Sequence, residues 1–288
     1  MKKIIQRLLV FLMGIPLIVF LVLFLPFFRH LPLNIIVTVF SAMGALEFSA
    51  MLGKKRLCIP GIKAFILGAL APLVQTLVLC FNFPQWIVPL VLMAGAGWCL
   101  LSRVFSPAQN LEAVTGYIAA GFSVLIYPGL FLLWLVKMSA WESAGIIILV
   151  FLLVSIGSDS AAWAAGMLFG NGNRGIIPAS PNKSIAGFIG GAIGTIIVSG
   201  GAALIVPSVF SPRYDCIPAL GAAIILGFCT GAAATLGDLA ESAIKRSCGV
   251  KDSGNIMLGR GGVLDSIDSI AVSAPVYYLL FCALFINA

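Results

Sequence analysis

Charge is what this sequence has least of. Only 9% of its 288 residues are Asp, Glu, Lys or Arg, while 61% are hydrophobic; a soluble domain carries about 25% charged residues. So few ionised groups cannot cover a surface in water, so lipid must solvate most of the chain. No CxxC pair occurs, and seven cysteines at 58, 80, 99, 216, 229, 248 and 282 are scattered, mostly in apolar runs. That pattern argues against a zinc site and a disulfide framework and leaves buried thiols as the expectation. No GxxxxGK[ST] loop is present, which excludes a P-loop nucleotide site. No polar stretch is long enough to fold as a separate soluble domain.

What is there, in quantity, is long apolar runs. A helix needs about 20 mainly apolar residues to span a bilayer. Nine segments qualify, at roughly 8–28, 31–52, 62–81, 86–102, 112–136, 143–170, 185–206, 217–237 and 263–286. The first imitates a signal peptide, but it is too long for an h-region and is followed by Phe27-Phe28-Arg29-His30 rather than a small-x-small cleavage site, so it is expected to span. With the N-terminus in the cytoplasm, alternation puts fourteen Lys and Arg on the inner side and three, Arg29, Lys137 and Arg213, on the outer side. This bias follows the positive-inside rule. The expected fold is therefore an all-α integral membrane protein of about nine transmembrane helices, N-terminus cytoplasmic and C-terminus opposite. Its net charge of +7 suits anionic lipid and phosphates rather than nucleic acid.

The two halves differ in composition within one continuous membrane domain. Residues 1–140 are mostly Leu, Val, Ile and Phe, fit for lipid contact and packing. Residues 141–288 are rich in Gly, Ala and Ser, with pairs four apart at Gly166/Gly170, Gly187/Gly191, Gly190/Gly194 and Gly227/Gly231. Small residues at that spacing let membrane helices approach closely. Charges inside spans are costly and need a reason. Asp159 shares a helical face with Ser155, Ala162, Gly166 and Gly170, so it either bonds a neighbouring helix or lines a substrate or metal cavity. Glu47, in the second span, admits either a structural or a functional role.

Polar chemistry gathers in two stretches. Within 171–184, Ser184 is placed to cap a helix starting at Ile185, and Lys183 beside those N–H groups would make an anion site. The densest stretch runs from 237 to 269. Asp238, Glu241, Ser242 and Lys245 fall on one face at helical spacing. Asp265 and Asp268, one turn apart, would repel each other unless a cation lay between them. Oxygen ligands of this kind suit Mg²⁺, which keeps waters and takes substrate phosphates as further ligands. Lys245, Arg246, Lys251 and Arg260 surround them with positive charge. Metal, carboxylates, basic groups and glycines together point to phosphoryl or nucleotidyl transfer, and the membrane setting points to a lipid substrate.

The same residues carry a resemblance. Ser242-x-x-Lys245-Arg246, Lys251-Asp252, Gly261-Gly262 and Asp265-x-x-Asp268 resemble the signature of phosphatidate cytidylyltransferases, also called CDP-diacylglycerol synthases. Gly237-Asp238-Leu239, Asp159-Ser160-Ala161-Ala162-Trp163 and Ser180-Pro181-Asn182-Lys183-Ser184 match as well. The resemblance is dense over roughly 155–270. It departs at Arg260 and Ser266, where the family has His and Arg, and at Ala186, where it has Glu. It implies transfer of CMP from CTP to phosphatidic acid with one or two Mg²⁺ ions, giving CDP-diacylglycerol and pyrophosphate for phospholipid synthesis. Under it, Asp238, Asp265 and Asp268 hold metal. Asp238, Lys245, Arg246, Lys251, Asp252 and Arg260 are catalytic. Asp159, Ser180, Lys183, Ser184, Ser242, Gly261 and Gly262 bind substrate. It also implies a multi-pass protein of the inner cell membrane with its site facing the cytoplasm, membrane lipids as partners, and a possible homodimer.

Two rivals make different demands. A CTP-dependent lipid or polyprenol kinase would release CDP rather than pyrophosphate. A transporter with buried carboxylates would show ion flux and no CTP turnover, but it has little use for the basic cluster. With one histidine the chain cannot carry the His-x-x-His or His-x-Gly-His element of soluble cytidylyltransferases, and with no Asp-Gly pair it is not a CDP-alcohol phosphotransferase.

Overall fold

In a computed structural model the chain is helical, and among the described residues the only β pairing is two isolated bridges, Arg174 with Ser184 and Met257 with Gly261. The structure describes residues 14, 16–105, 108–214, 216–257 and 261–286. A helical stretch over 16–24, α1, is followed by α2 (Phe27–Gly53), α3 (Gly61–Cys80) and α4 (Ile87–Leu101). Then come α5 (Val114–Val124) and α6 (Phe131–Met138), joined by a π-helical turn at Leu125–Leu130. The C-terminal half contains α7 (Ala144–Phe169), α8 (Ile185–Ile205), α9 (Ala219–Ser247) and α10 (Leu264–Phe285).

Among the described residues, seven helical segments are long and apolar enough to cross a membrane: α2, α3, 111–138, and α7 to α10. This is a multi-pass membrane protein. Two of the nine expected spans stand apart from these seven. Much of the first lies outside the described residues, and α4 has only 15 residues, about 22 Å at 1.5 Å per residue. The fifth expected span runs on through the π-helical turn that holds Pro128, whose ring nitrogen cannot donate to the helical ladder. The Ser41 hydroxyl lies 2.7 Å from the Pro128 carbonyl and 2.6 Å from that of Gly68. Regular geometry in α2 begins after three left-handed residues, Phe28, Arg29 and His30 (φ 47, 57 and 58), at the position where the second span is expected to start.

The chain forms two compact units. One comprises Met1–Ala140 with Lys245–Ile267, the other Trp141–Ile244 with Asp268–Ala288. The segment 245–267, which composition would leave with the C-terminal half, thus packs with the N-terminal helices. In the second unit the small residues act as expected. A methyl group on Gly194 would lie 2.6 Å from the Ala161 Cβ, and one on Gly231 would lie 2.5 Å from the Thr195 Cγ2. Glycine at these positions brings α8 against α7 and α9. Bulkier Ile189, Ile193 and Ile197 face outward from α8, as a lipid-contacting helix requires.

Candidate active site

The second unit holds an acidic cluster. Asp238 and Glu241 are one turn apart on α9, and Asp268 is in the second turn of α10. One carboxylate oxygen from each lies within 4.8 Å of the others. Gly237 makes this possible: a Cβ there would lie 2.6 Å from the Asp268 carbonyl oxygen, so only glycine lets α9 come so close. Glu241 is fully buried and Asp268 is 7% exposed. Lys183 forms a 2.7 Å ion pair with Asp238, and the Ser242 hydroxyl lies 3.4 Å from the other Asp238 oxygen. Asp268 accepts from the Ser269 N–H at 2.6 Å, and the Ser269 hydroxyl donates to Asp159 at 3.3 Å. Asp159 itself is exposed, on the same helix as the buried Ser155, which pairs with Ser273 at 2.9 Å.

Three carboxylates crowd together in a poorly solvated place, with Lys183 paired to one of them. Such a group is costly unless a cation neutralises it. The donors are all hard oxygens, so the residues fit Mg²⁺ or a similar divalent ion. The approach to Lys183 is well built. The Ser184 Oγ accepts from the Gly187 N–H at 3.0 Å, the N-cap expected from the sequence. The Ile185 N–H donates to the Asn173 carbonyl, and Arg174 donates to the Gly166 carbonyl at 3.0 Å. Gly172 and Gly175 turn the loop with φ of +82 and +83. Ser180 lies half-buried in the turn that its carbonyl closes with the Lys183 N–H.

The first unit holds a carboxylate of a different kind. Asp265, in the first turn of α10, accepts from Lys245 Nζ at 2.5 Å, the Gly262 N–H at 2.7 Å, and both the N–H and the hydroxyl of Ser253 at 2.9 Å. Gly261 has φ +106, and a Cβ there would lie 2.6 Å from Asp265 Oδ2. Glycine is therefore required at 261 for both torsion and space. Arg246, Lys251 and Asp252 are exposed. Arg260 lies outside the described residues.

Of the three aspartates that the motif spacing groups as metal ligands, Asp238 and Asp268 come together in one cluster. Asp265 is instead surrounded by protein donors. Glu241, on the expected helical face but not singled out, completes the acidic group. Its signal was the i, i+3 spacing from Asp238. Ser253 gave no signal, since a lone serine in a loop is commonplace. Glu47 gave one, as the only acid in a long apolar helix.

The comparisons with known proteins agree with this chemistry. The cytidylyltransferase family model matches residues 5–284, nearly the whole chain. The chain belongs to the cytidylyltransferase family. A relative in Thermotoga maritima named phosphatidate cytidylyltransferase is 34% identical over 220 residues, covering 75% of this chain and 76% of that one. One of the same name in Brucella suis is 37% identical over 171 residues, 59% of this chain and 58% of its own. A protein of Escherichia coli named uncharacterized protein YnbB is 31% identical over 229 residues, covering 70% and 72%. As a cytidylyltransferase family member, the chain has a reason to keep carboxylates and lysines at the ends of membrane helices.

Proposed function

We propose that this chain is a phosphatidate cytidylyltransferase that makes CDP-diacylglycerol from CTP and phosphatidic acid. The observation that carries the reading is the acidic cluster of Asp238, Glu241 and Asp268, in a membrane protein of the cytidylyltransferase family. A phosphate oxygen of phosphatidic acid attacks the α-phosphorus of CTP. The bond from that phosphorus to the α,β-bridging oxygen breaks, and its electron pair leaves with pyrophosphate. Phosphatidate is already anionic near neutral pH, so no dedicated base is needed.

Asp238 and Asp268, with Glu241, would hold a divalent ion, most simply Mg²⁺. Such an ion supplies charge neutralisation on the triphosphate. Asp265, expected from the sequence as a further ligand, is taken up by Lys245, Gly262 and Ser253 instead. Lys183, held by Asp238, binds phosphate next to the capped start of α8, together with Ser180 and Ser184. Asp159 and Ser242 position groups around Asp238 and Asp268. Lys245, Arg246, Lys251 and Arg260 neutralise the leaving pyrophosphate or the lipid phosphate, while the space beside Gly261 and Gly262 is taken by Asp252, Asp265, Ser253 and Glu47 rather than by substrate. By the positive-inside bias, nine spans place this chemistry at the cytoplasmic face of the inner membrane. The resemblance also implies a homodimer, which cross-linking in native membranes reads directly.

The test uses purified protein, phosphatidic acid and labelled CTP, with and without Mg²⁺. The reading expects CDP-diacylglycerol and pyrophosphate in equal amounts, and neither without divalent metal. Release of CDP with a phosphorylated lipid would assign a kinase instead.

A further inference from the structure

Glu47 lies in the C-terminal part of α2, within the apolar and small-residue stretch Ser41–Gly53, and it is only 6% exposed. An ionised carboxylate is an acceptor only, and burying it is costly unless donors surround it. Three donors do so here. The Val263 N–H reaches one oxygen at 3.0 Å, the Leu264 N–H reaches the other at 2.9 Å, and the Ser253 hydroxyl lies 3.1 Å from that second oxygen. The two N–H groups belong to the start of α10, where helix donors have no partner within the helix. Glu47 thus caps α10 from a residue more than 200 positions away. The glycines of the signature make room for it. A Cβ on Gly254 or Gly262 would fall inside van der Waals contact of the Glu47 carboxylate.

Ser253 also links the two carboxylates of this unit. Its hydroxyl lies 3.1 Å from Glu47 and 2.9 Å from Asp265. One hydroxyl proton serves one acceptor at a time, so the two acids are coupled through it. Asp265 in turn holds Lys245. We propose that Glu47 is a positioning residue for the transfer reaction: it fixes Ser253 and the first turn of α10, and so sets the orientation of Asp265 and Lys245. This rests on the cytidylyltransferase reading above. Supporting contacts behind a reacting group are typically worth about ten- to a hundredfold in activity.

The experiment compares the purified wild type with Glu47→Gln, Glu47→Asp, Ser253→Ala and the double variant Glu47→Gln/Ser253→Ala. It reads steady-state kinetics and hydrogen exchange at Ser253 and Val263–Asp265. The Gln variant keeps the shape but turns an amide donor toward other donors. Its kcat should fall about ten- to a hundredfold, with KM for CTP within about threefold of wild type and faster exchange confined to those residues. Glu47→Asp, which retains two acceptor oxygens, should recover part of the rate. Ser253→Ala should lower kcat about tenfold, and the double variant should be no slower than Glu47→Gln alone, because both act through one segment. A wild-type kcat in Glu47→Gln would overturn the proposal, as would faster exchange spread evenly through α2 and α3. If Glu47→Gln does not fold, Ser253→Ala decides, and a wild-type kcat there overturns it. If the wild type makes no CDP-diacylglycerol, the function reading fails, while the exchange comparison still tests whether Glu47 holds this segment.

Discussion

The two units each gather carboxylates and a lysine, but they treat the negative charge in opposite ways. In the first unit, Asp265 and Glu47 take backbone N–H groups, a shared serine hydroxyl and the Lys245 ammonium. In the second, Asp238, Glu241 and Asp268 crowd within 4.8 Å of one another, with Lys183 as the ion-pair partner of Asp238. A carboxylate surrounded by fixed donors organises a backbone. Carboxylates crowded against one another are suited to a metal ion. The same residue type is thus held in two ways in one chain, by fixed donors around Asp265 and Glu47 and beside other acids around Asp268.

The largest expected effect breaks the second arrangement. Asp238→Asn or Asp268→Asn should lower cytidylyl transfer by about a thousandfold or more, the scale of losing metal stabilisation of a transferring phosphate. Labelled-CTP turnover in proteoliposomes checks it. Next is Gly262→Ala, which drives a methyl group onto Ser253 and Glu47. Overpacking of this kind costs about 1–3 kcal/mol, so both the thermal midpoint and the rate should fall, and a wild-type midpoint would show that this contact is looser than described.

Lys183→Met sharpens the comparison by sign. Removing the ammonium from Asp238 makes the cluster more negative, so half-maximal activity should need several-fold less Mg²⁺. The maximal rate should nevertheless drop about tenfold, because a phosphate contact is lost. The smallest effect is Ser184→Ala, which removes the N-cap of α8 at a cost of about 1 kcal/mol. A fall of a few degrees in melting temperature with little change in Mg²⁺ requirement is the expected result.

Much of this was legible in the sequence. Seven apolar segments appear as helices close to their expected places, because hydropathy over about 20 residues reflects the solvent directly. Ser184 caps α8 as expected, since an N-cap depends on one short run of residues, here 184 to 187, and little else. The gathering of Asp238 with Asp268 followed from motif resemblance. What could not be read was which carboxylate meets which donor. Asp265 and Asp268 are three residues apart, yet one answers to Lys245 and Ser253 and the other to Glu241. That division depends on which helices pack around each turn, and spacing along a chain does not encode it. The pairing of Glu47 with Val263 and Leu264 was hidden for the same reason, since it joins positions more than 200 residues apart. The continuation of α9 to Ser247 runs past the expected span at 217–237, because the hydropathy signal stops where charge begins although the helix does not.

The most direct measurement is a titration of Mn²⁺ into purified protein in detergent, followed by electron paramagnetic resonance and without CTP, for the wild type and for Asp238→Asn and Asp268→Asn. The account predicts saturable Mn²⁺ binding by the wild type and at least about tenfold weaker binding by both variants. Equal binding by all three proteins would place the ion elsewhere and contradict it.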